Sequence, residues 1–141
     1  MKKVFFSLCL LAAISGKAQK TSITVEVENF RNEKGVCRAY LFDDDKSFPS
    51  ESDKAVASKS VKINGSKATL TFENVPTGTY AIAIIHDENN NNTLDANFIG
   101  IPKEGFGASK NVLPSMSKPL FKDNAFKVSS QPVKLVVKLR Y

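Results

Sequence analysis

Oxygen-bearing side chains recur at alternate positions along one stretch of the chain, His86-Asp87-Glu88-Asn89-Asn90-Asn91-Asn92-Thr93-Leu94-Asp95. Asp87, Asn89, Asn91 and Asp95 stand at positions 1, 3, 5 and 9 of a calcium-type loop, and Thr93 offers its backbone carbonyl at position 7. Calcium takes about six to eight hard oxygens, and alternate residues of a tight loop can all point at one ion. Calcium is therefore the cofactor this spacing predicts. Two departures count against it. Asn92 replaces the glycine of position 6, although asparagine tolerates a left-handed backbone better than most residues. Phe98 stands where a bidentate glutamate would be, so Glu88 or Glu104 would have to complete the shell. The competing expectation is a solvated turn capped by its own Asx side chains.

Nucleophilic chemistry has few candidates. His86 is the sole histidine, and Cys37 is the sole cysteine outside the first eighteen residues. A cysteine in mid-strand is ordinarily a small buried thiol. One histidine and one cysteine do not supply a zinc site. The expectation is a protein without catalytic residues. The alternative is a small hydrolase using His86 with Asp87 or Glu104.

Residues 98–111 are rich in glycine, with Phe and Ile interleaved. No Gly-Lys-Ser/Thr closes the segment, so it is not a phosphate-binding P-loop. One expectation is a ligand or partner face at the end of the fold, formed by His86, Glu104, Gly105, Phe106 and Gly107, since loops carry function. The other is an Ω-type loop laying Phe98, Ile101 and Phe106 over a sheet, because three large apolar side chains need burial.

The elements that would hold these residues are strands. Ile23, Val25 and Val27 alternate with polar residues, as in a half-buried strand. Residues 35–42 form a second strand, with Cys37, Ala39 and Leu41 on one face and Val36, Arg38, Tyr40 and Phe42 on the other. A third ends at Val61 and Ile63, and Asn64-Gly65 is a strong hairpin signal before Ala68, Leu70 and Phe72. Pro76 and Gly78 mark a turn. Residues 80–85 are apolar on both faces, which predicts a central strand covered on both sides. Phe126 and Val128 suggest a sixth strand. In the seventh, Val133, Leu135, Val137 and Leu139 point inward. Residues 43–57 are polar, with room for a turn of helix. Seven short strands with regular turns predict an all-β, seven-stranded antiparallel β-sandwich. A long loop spans about 87–120, too long for an idle connection.

The first eighteen residues read as a signal peptide: Lys2 and Lys3, an apolar run over 4–14 broken only by Ser7, then Gly16 and Ala18 ahead of cleavage before Gln19. Eleven residues are too few to span a bilayer, which takes about 20. The expected domains are thus 1–18, signal peptide, and 19–141, β-sandwich. The expected location is the periplasm, the cell surface or the medium. Removing Lys2, Lys3 and Lys17 from 20 basic residues leaves 17 against 14 acidic, so +6 becomes +3. That mild charge, without a basic cluster, predicts no nucleic-acid partner. A single remaining thiol makes no internal disulfide. A mature chain of 123 residues suffices for one core, and a monomer without a membrane span is expected.

The run Phe72-Glu73-Asn74-Val75-Pro76-Thr77-Gly78-Thr79-Tyr80, then His86-Asp87-Glu88-Asn89, then Leu94-Asp95-Ala96-Asn97-Phe98-Ile99-Gly100-Ile101-Pro102-Lys103-Glu104-Gly105-Phe106-Gly107 resembles the exported bacterial family called domain of unknown function 2141. Pro119-Leu120-Phe121 and Ala125-Phe126 also resemble its pattern. The resemblance covers nearly all of the mature chain. It implies export and a sandwich similar to transthyretin, immunoglobulin or carboxypeptidase-regulatory domains, and it implies no activity. The histidine set of the transthyretin-like hydroxyisourate hydrolase is absent. The functional expectation is a non-enzymatic binding or structural module of the cell envelope, its 87–111 face meeting an unknown ligand or envelope protein. A structural subunit of a surface assembly is a third reading, and an unpaired edge strand would mark it.

Overall fold

The computed structural model describes residues 16–141; the expected signal sequence falls almost wholly on residues 1–15, outside those described. Eight strands form two sheets, one strand more than alternation alone predicts. They are β1 (Lys20–Glu28), β2 (Val36–Phe42), β3 (Ala57–Val61), β4 (Lys67–Pro76), β5 (Gly78–Asp87), β6 (Phe106–Ala108), β7 (Phe126–Val128) and β8 (Val133–Lys138). One sheet runs β4-β1-β8, and the other runs β3-β2-β5-β6, with β7 on the start of β5. All pairings are antiparallel except β1 with β8. The additional strand, β6, lies in the glycine-rich segment, where Phe-Gly-Ala is too short to display a period.

Between the sheets lies the main core. Ile23, Val25 and Val27 meet Cys37, Ala39 and Leu41 from β2, Ile82 and Ile84 from β5, and Leu70 and Phe72 from β4. The Cys37 face of β2 is therefore the inner one. Each large apolar side chain withdrawn from water contributes about 1.5–3 kcal/mol before ordering costs. The outer face of β2 and β5 is also covered. Tyr40, Phe42, Ala81 and Ala83 pack with Phe48, Leu113 and Phe121 from the 43–56 and 109–125 loops. This second layer explains why β5 is apolar on both faces.

Asn64-Gly65 does not join a paired hairpin. Asn64 and Lys67 exchange backbone hydrogen bonds, and Gly65 has φ +66°, so a tight turn forms. However, β3 and β4 belong to different sheets; the turn carries the chain across the sandwich. The expected turn of helix within 43–57 is a short 3-10 segment, Ser52–Lys54, and a four-residue helix, α1, covers Phe121–Asn124. Among the described residues no helix is long and apolar enough to cross a membrane.

Candidate functional site

Strand β5 delivers two adjacent polar residues to opposite faces, as period two requires. His86 follows Ile82 and Ile84 inward and lies directly across from Cys37. It is fully buried. Its Nε2 donates to the Lys34 carbonyl at 2.8 Å, which leaves Nδ1 to accept from the Tyr141 hydroxyl at 2.7 Å. That hydroxyl also accepts the Arg31 backbone N–H at 3.1 Å. The edge of Phe30 closes the ring from the side, 5.1 Å between centroids. Gly105 admits Tyr141, since a Cβ there would lie 2.6 Å from the tyrosine ring.

Asp87 points the other way, so the two residues form no Asp–His dyad. It too is fully buried. Arg38 Nε approaches its Oδ2 at 2.5 Å from the neighbouring strand. The amides of Asn91 and Asn92 donate to its two oxygens at 3.1 and 3.0 Å. Burial pushes the Asp87 carboxyl up, but Arg38 and these amides outweigh it and hold the group below the usual carboxylate range. Gly35 makes the crossing above it: φ is +66°, and a Cβ would sit 1.8 Å from the Asp87 carbonyl oxygen.

Beyond the strand the loop turns back on itself. Glu88 receives Arg31 Nε and Nη2 at 2.7 and 2.9 Å and Asn32 Nδ2 at 3.0 Å. The Arg31 guanidinium holds the Glu88 carboxyl down to about 2 against the opposing effect of burial. Arg31 also donates to the Lys103 carbonyl and lies 4.6 Å above the Tyr141 ring. Glu104 is buried, and its two oxygens accept the Glu88 and Asp95 amides at 2.9 and 3.0 Å. It thereby fastens both ends of the 88–95 loop.

The five residues expected to bind a cation separate into two groups. Asn89, Asn91 and Asp95 converge, with the Asp95 carboxylate accepting the two side-chain amides at 2.6 and 2.8 Å. Thr93 bonds to Asn91 Oδ1 through its amide and its hydroxyl, both 3.0 Å. Asn90 and Asn92 have φ of 58° and 68°, so asparagine does supply the left-handed turns. Asp87 instead faces Arg38. Asn89, Asn91, Thr93 and Asp95 fit a hard cation by donor type, with Asp95 the one charged ligand. Among the described residues, no three His, Cys, Asp or Glu side chains gather into a metal-holding cluster.

The expected ligand face is mostly interior. His86, Glu104, Gly105 and Gly107 are buried, and Phe106 is half-buried under Arg140, whose guanidinium lies 5.3 Å from its ring. The surface is formed by residues 96–102. Phe98 is 99% exposed, Ile99 65% and Ile101 55%, so Phe98 and Ile101 do not pack over the sheet as an Ω-type loop would have them. The tip is nevertheless ordered. Asn97 Oδ1 accepts the Ile99 and Ile101 amides at 3.1 and 2.9 Å, and its backbone bonds to Gly100 and Ile101. The Lys103 amide closes the stem on the Asp95 carbonyl at 2.8 Å. Two open clefts, of about 490 and 320 Å³, lie elsewhere, lined by polar groups including Glu28, Lys67 and Lys138 or Lys62 and Asn64.

Arg31, Arg38, Asn97 and Tyr141 also build the site, although no local motif marks them. Arg38 alone carried a signal, being a charge on a strand face otherwise formed by Val36, Tyr40 and Phe42.

These features define a class: an all-β sandwich whose β5–β6 loop is fastened from beneath by buried polar groups and presents an apolar tip. The chain belongs to the bacterial family DUF2141, described as "uncharacterized protein conserved in bacteria", whose family model matches residues 25–135. No curated protein and no solved structure matches it.

Proposed function

We propose that this is an exported, non-catalytic binding module of the cell envelope, and that the 96–102 tip is its contact element. One observation carries the reading: an apolar turn is pinned by the hydrogen bonds of Asn97 and still keeps Phe98 almost entirely in water. Loop disorder does not account for that exposure, because Asn97 and the Asp95–Lys103 closure order the backbone. A patch of this kind ordinarily marks an interaction site. The hydrolase alternative has less support, since His86 is enclosed and Asp87 faces away from it. Export is argued from the N-terminal sequence, and β1 begins two residues after Ala18.

The test is partition after export. The wild-type chain, with its mass starting at Gln19, stays with the envelope fraction. The double variant Phe98→Ser, Ile99→Ser folds with an unchanged melting temperature and is released. Equal retention of the variant overturns the reading.

A second reading is favoured by the convergence of Asn89, Asn91 and Asp95: calcium binds the loop and stiffens the stem. Because Asp87 already has Arg38 as its counter-ion, binding is weak, with a dissociation constant of about 0.1–1 mM. Calcium at about 1 mM would then stabilise the fold by about 0.4–1.4 kcal/mol. A melt in calcium against chelator, repeated on Asp95→Ala, reads this directly. No shift at about 10 mM calcium sinks it, since the same affinities require 1.4–2.7 kcal/mol there.

A further inference from the structure

The tip's shape, size and surrounding charge narrow what it meets. Phe98, Ile99 and Ile101 project from a convex turn, so a protein partner must offer an apolar pocket. The two clefts described above would not supply one on a second copy. One cleft is lined by Glu28, Asn29, Ser66, Lys67 and Lys138, and the other by a similarly polar set. Three side chains also fall well short of the roughly 800 Å² per partner that a stable protein interface buries. A lipid surface requires neither a matching pocket nor a minimum area. Attachment there grows with apolar area inserted and with attraction to anionic headgroups.

The charges agree with that surface. From Ala96 to Pro102 no residue is charged, and the next residue, Lys103, is exposed. Lys34, beside His86 at the base of the loop, is exposed as well, but the exposed Glu33 stands next to it, so Lys103 is the charge that the collar presents. The acidic groups that make this segment look anionic are turned inward or held. Asp87 and Glu104 are buried, Glu88 is bound by Arg31, and Asp95 is half-buried and bonded to Asn89 and Asn91. An uncharged apolar tip with an outward-facing lysine at its collar combines the two signals that reversible membrane attachment uses.

We propose that the 96–102 tip docks into an anionic phospholipid surface, with Phe98 and Ile99 entering the boundary between headgroups and acyl chains and Lys103 meeting lipid phosphate. The proposal rests on the tip being the contact element, and it names the partner of that same site.

The chain contains no tryptophan, so Phe98→Trp places a unique reporter at the tip. Vesicles containing phosphatidylglycerol should shift its emission to the blue, and vesicles of phosphatidylcholine should do so less. Added salt should reverse much of the effect. In sedimentation over a range of lipid concentrations, Phe98→Ser should lower the vesicle partition constant of the exported chain about tenfold, the equivalent of one large apolar side chain returned to water. Emission unchanged by every vesicle overturns the proposal. If Phe98→Ser, Ile99→Ser still releases the chain from the envelope, the contact element stands and its partner is a protein. If it does not, both readings fall. A blue shift that grows with protein concentration without vesicles also overturns the proposal, in favour of self-association.

Discussion

Glu88 is surrounded by donors on three sides, and its proton affinity reports how firmly the loop is fastened. Arg31 contributes a two-pronged ion pair, and Asn32 adds a third bond. With its folded pKa held to about 2, the carboxylate stabilises the fold above its ordinary value near 4.5. That contribution is lost as pH falls from there through about 2. Arg31 is 45% exposed, and solvent screening reduces the full linkage value to about 1–2 kcal/mol. Glu88→Gln should therefore be less stable than wild type by that amount at neutral pH. The gap should close on acidification to about pH 2. Denaturant melts of both chains between pH 2 and 7 measure it; a gap that is absent at neutral pH, or constant with pH, counts against the ion pair. The same residue illustrates what sequence conceals. His86, Asp87 and Glu88 stood out as chemistry-bearing types, yet their partners lie 55, 49 and 57 residues away in Tyr141, Arg38 and Arg31. Local spacing could mark the segment as special, but nothing in it could say that these groups are directed at the interior.

At the level of elements, alternation located strands wherever one face was buried. β1 is the clearest case, with Ile23, Val25 and Val27 all at 0% exposure. β5 was legible for a different reason: Tyr80, Ile82 and Ile84 on one face, and Ala81, Ala83 and Ile85 on the other, require cover on both sides, and both covers exist. Legibility ended where the signal was only local. Asn64-Gly65 forms its tight turn, but turn chemistry specifies a reversal without specifying which sheet receives the returning strand. β6 has only three residues, and it pairs because the buried Glu104 and the close approach of Gly105 to Tyr141 bring it alongside β5. The 96–102 tip departs most from expectation. Three apolar residues within four positions suggest burial, and Asn97 instead satisfies the backbone locally and leaves Phe98 outside. A structured apolar turn and a packed one have the same composition. Only the tertiary position of the stem separates them.

Besides sharing a core, the two sheets meet at the end that carries the site. Arg140 exchanges both backbone hydrogen bonds with Phe106, at 2.9 and 3.0 Å. This joins the β8 side of one sheet to the β6 edge of the other, and the Arg140 guanidinium bonds to the Leu113 and Pro114 carbonyls. Asn111 occupies the open edge of β8, donating to the Val136 carbonyl and accepting from the Lys138 amide, which blunts that edge against further strand addition. Cys37 sits beneath this closure. It is fully buried across from His86, and burial pushes its thiol up to about 12, so it is neither accessible nor a thiolate at neutral pH. For a domain of this size, stability of about 6 kcal/mol or more is ordinary. If only global unfolding exposes Cys37, an aromatic disulfide reagent should label the native chain at least about 10⁴-fold more slowly than the chain in denaturant. The suppression should track the denaturant melt. Arg140→Ala keeps the backbone pair with Phe106 but removes the guanidinium bonds to Leu113 and Pro114, and it should raise the labelling rate and lower the melt midpoint together. Labelling of the native wild type that is fast and independent of global stability would mean that the end near His86 opens by itself. In that case the loop is not held as firmly as its hydrogen bonds indicate, and Phe98 would be presented on a mobile stem.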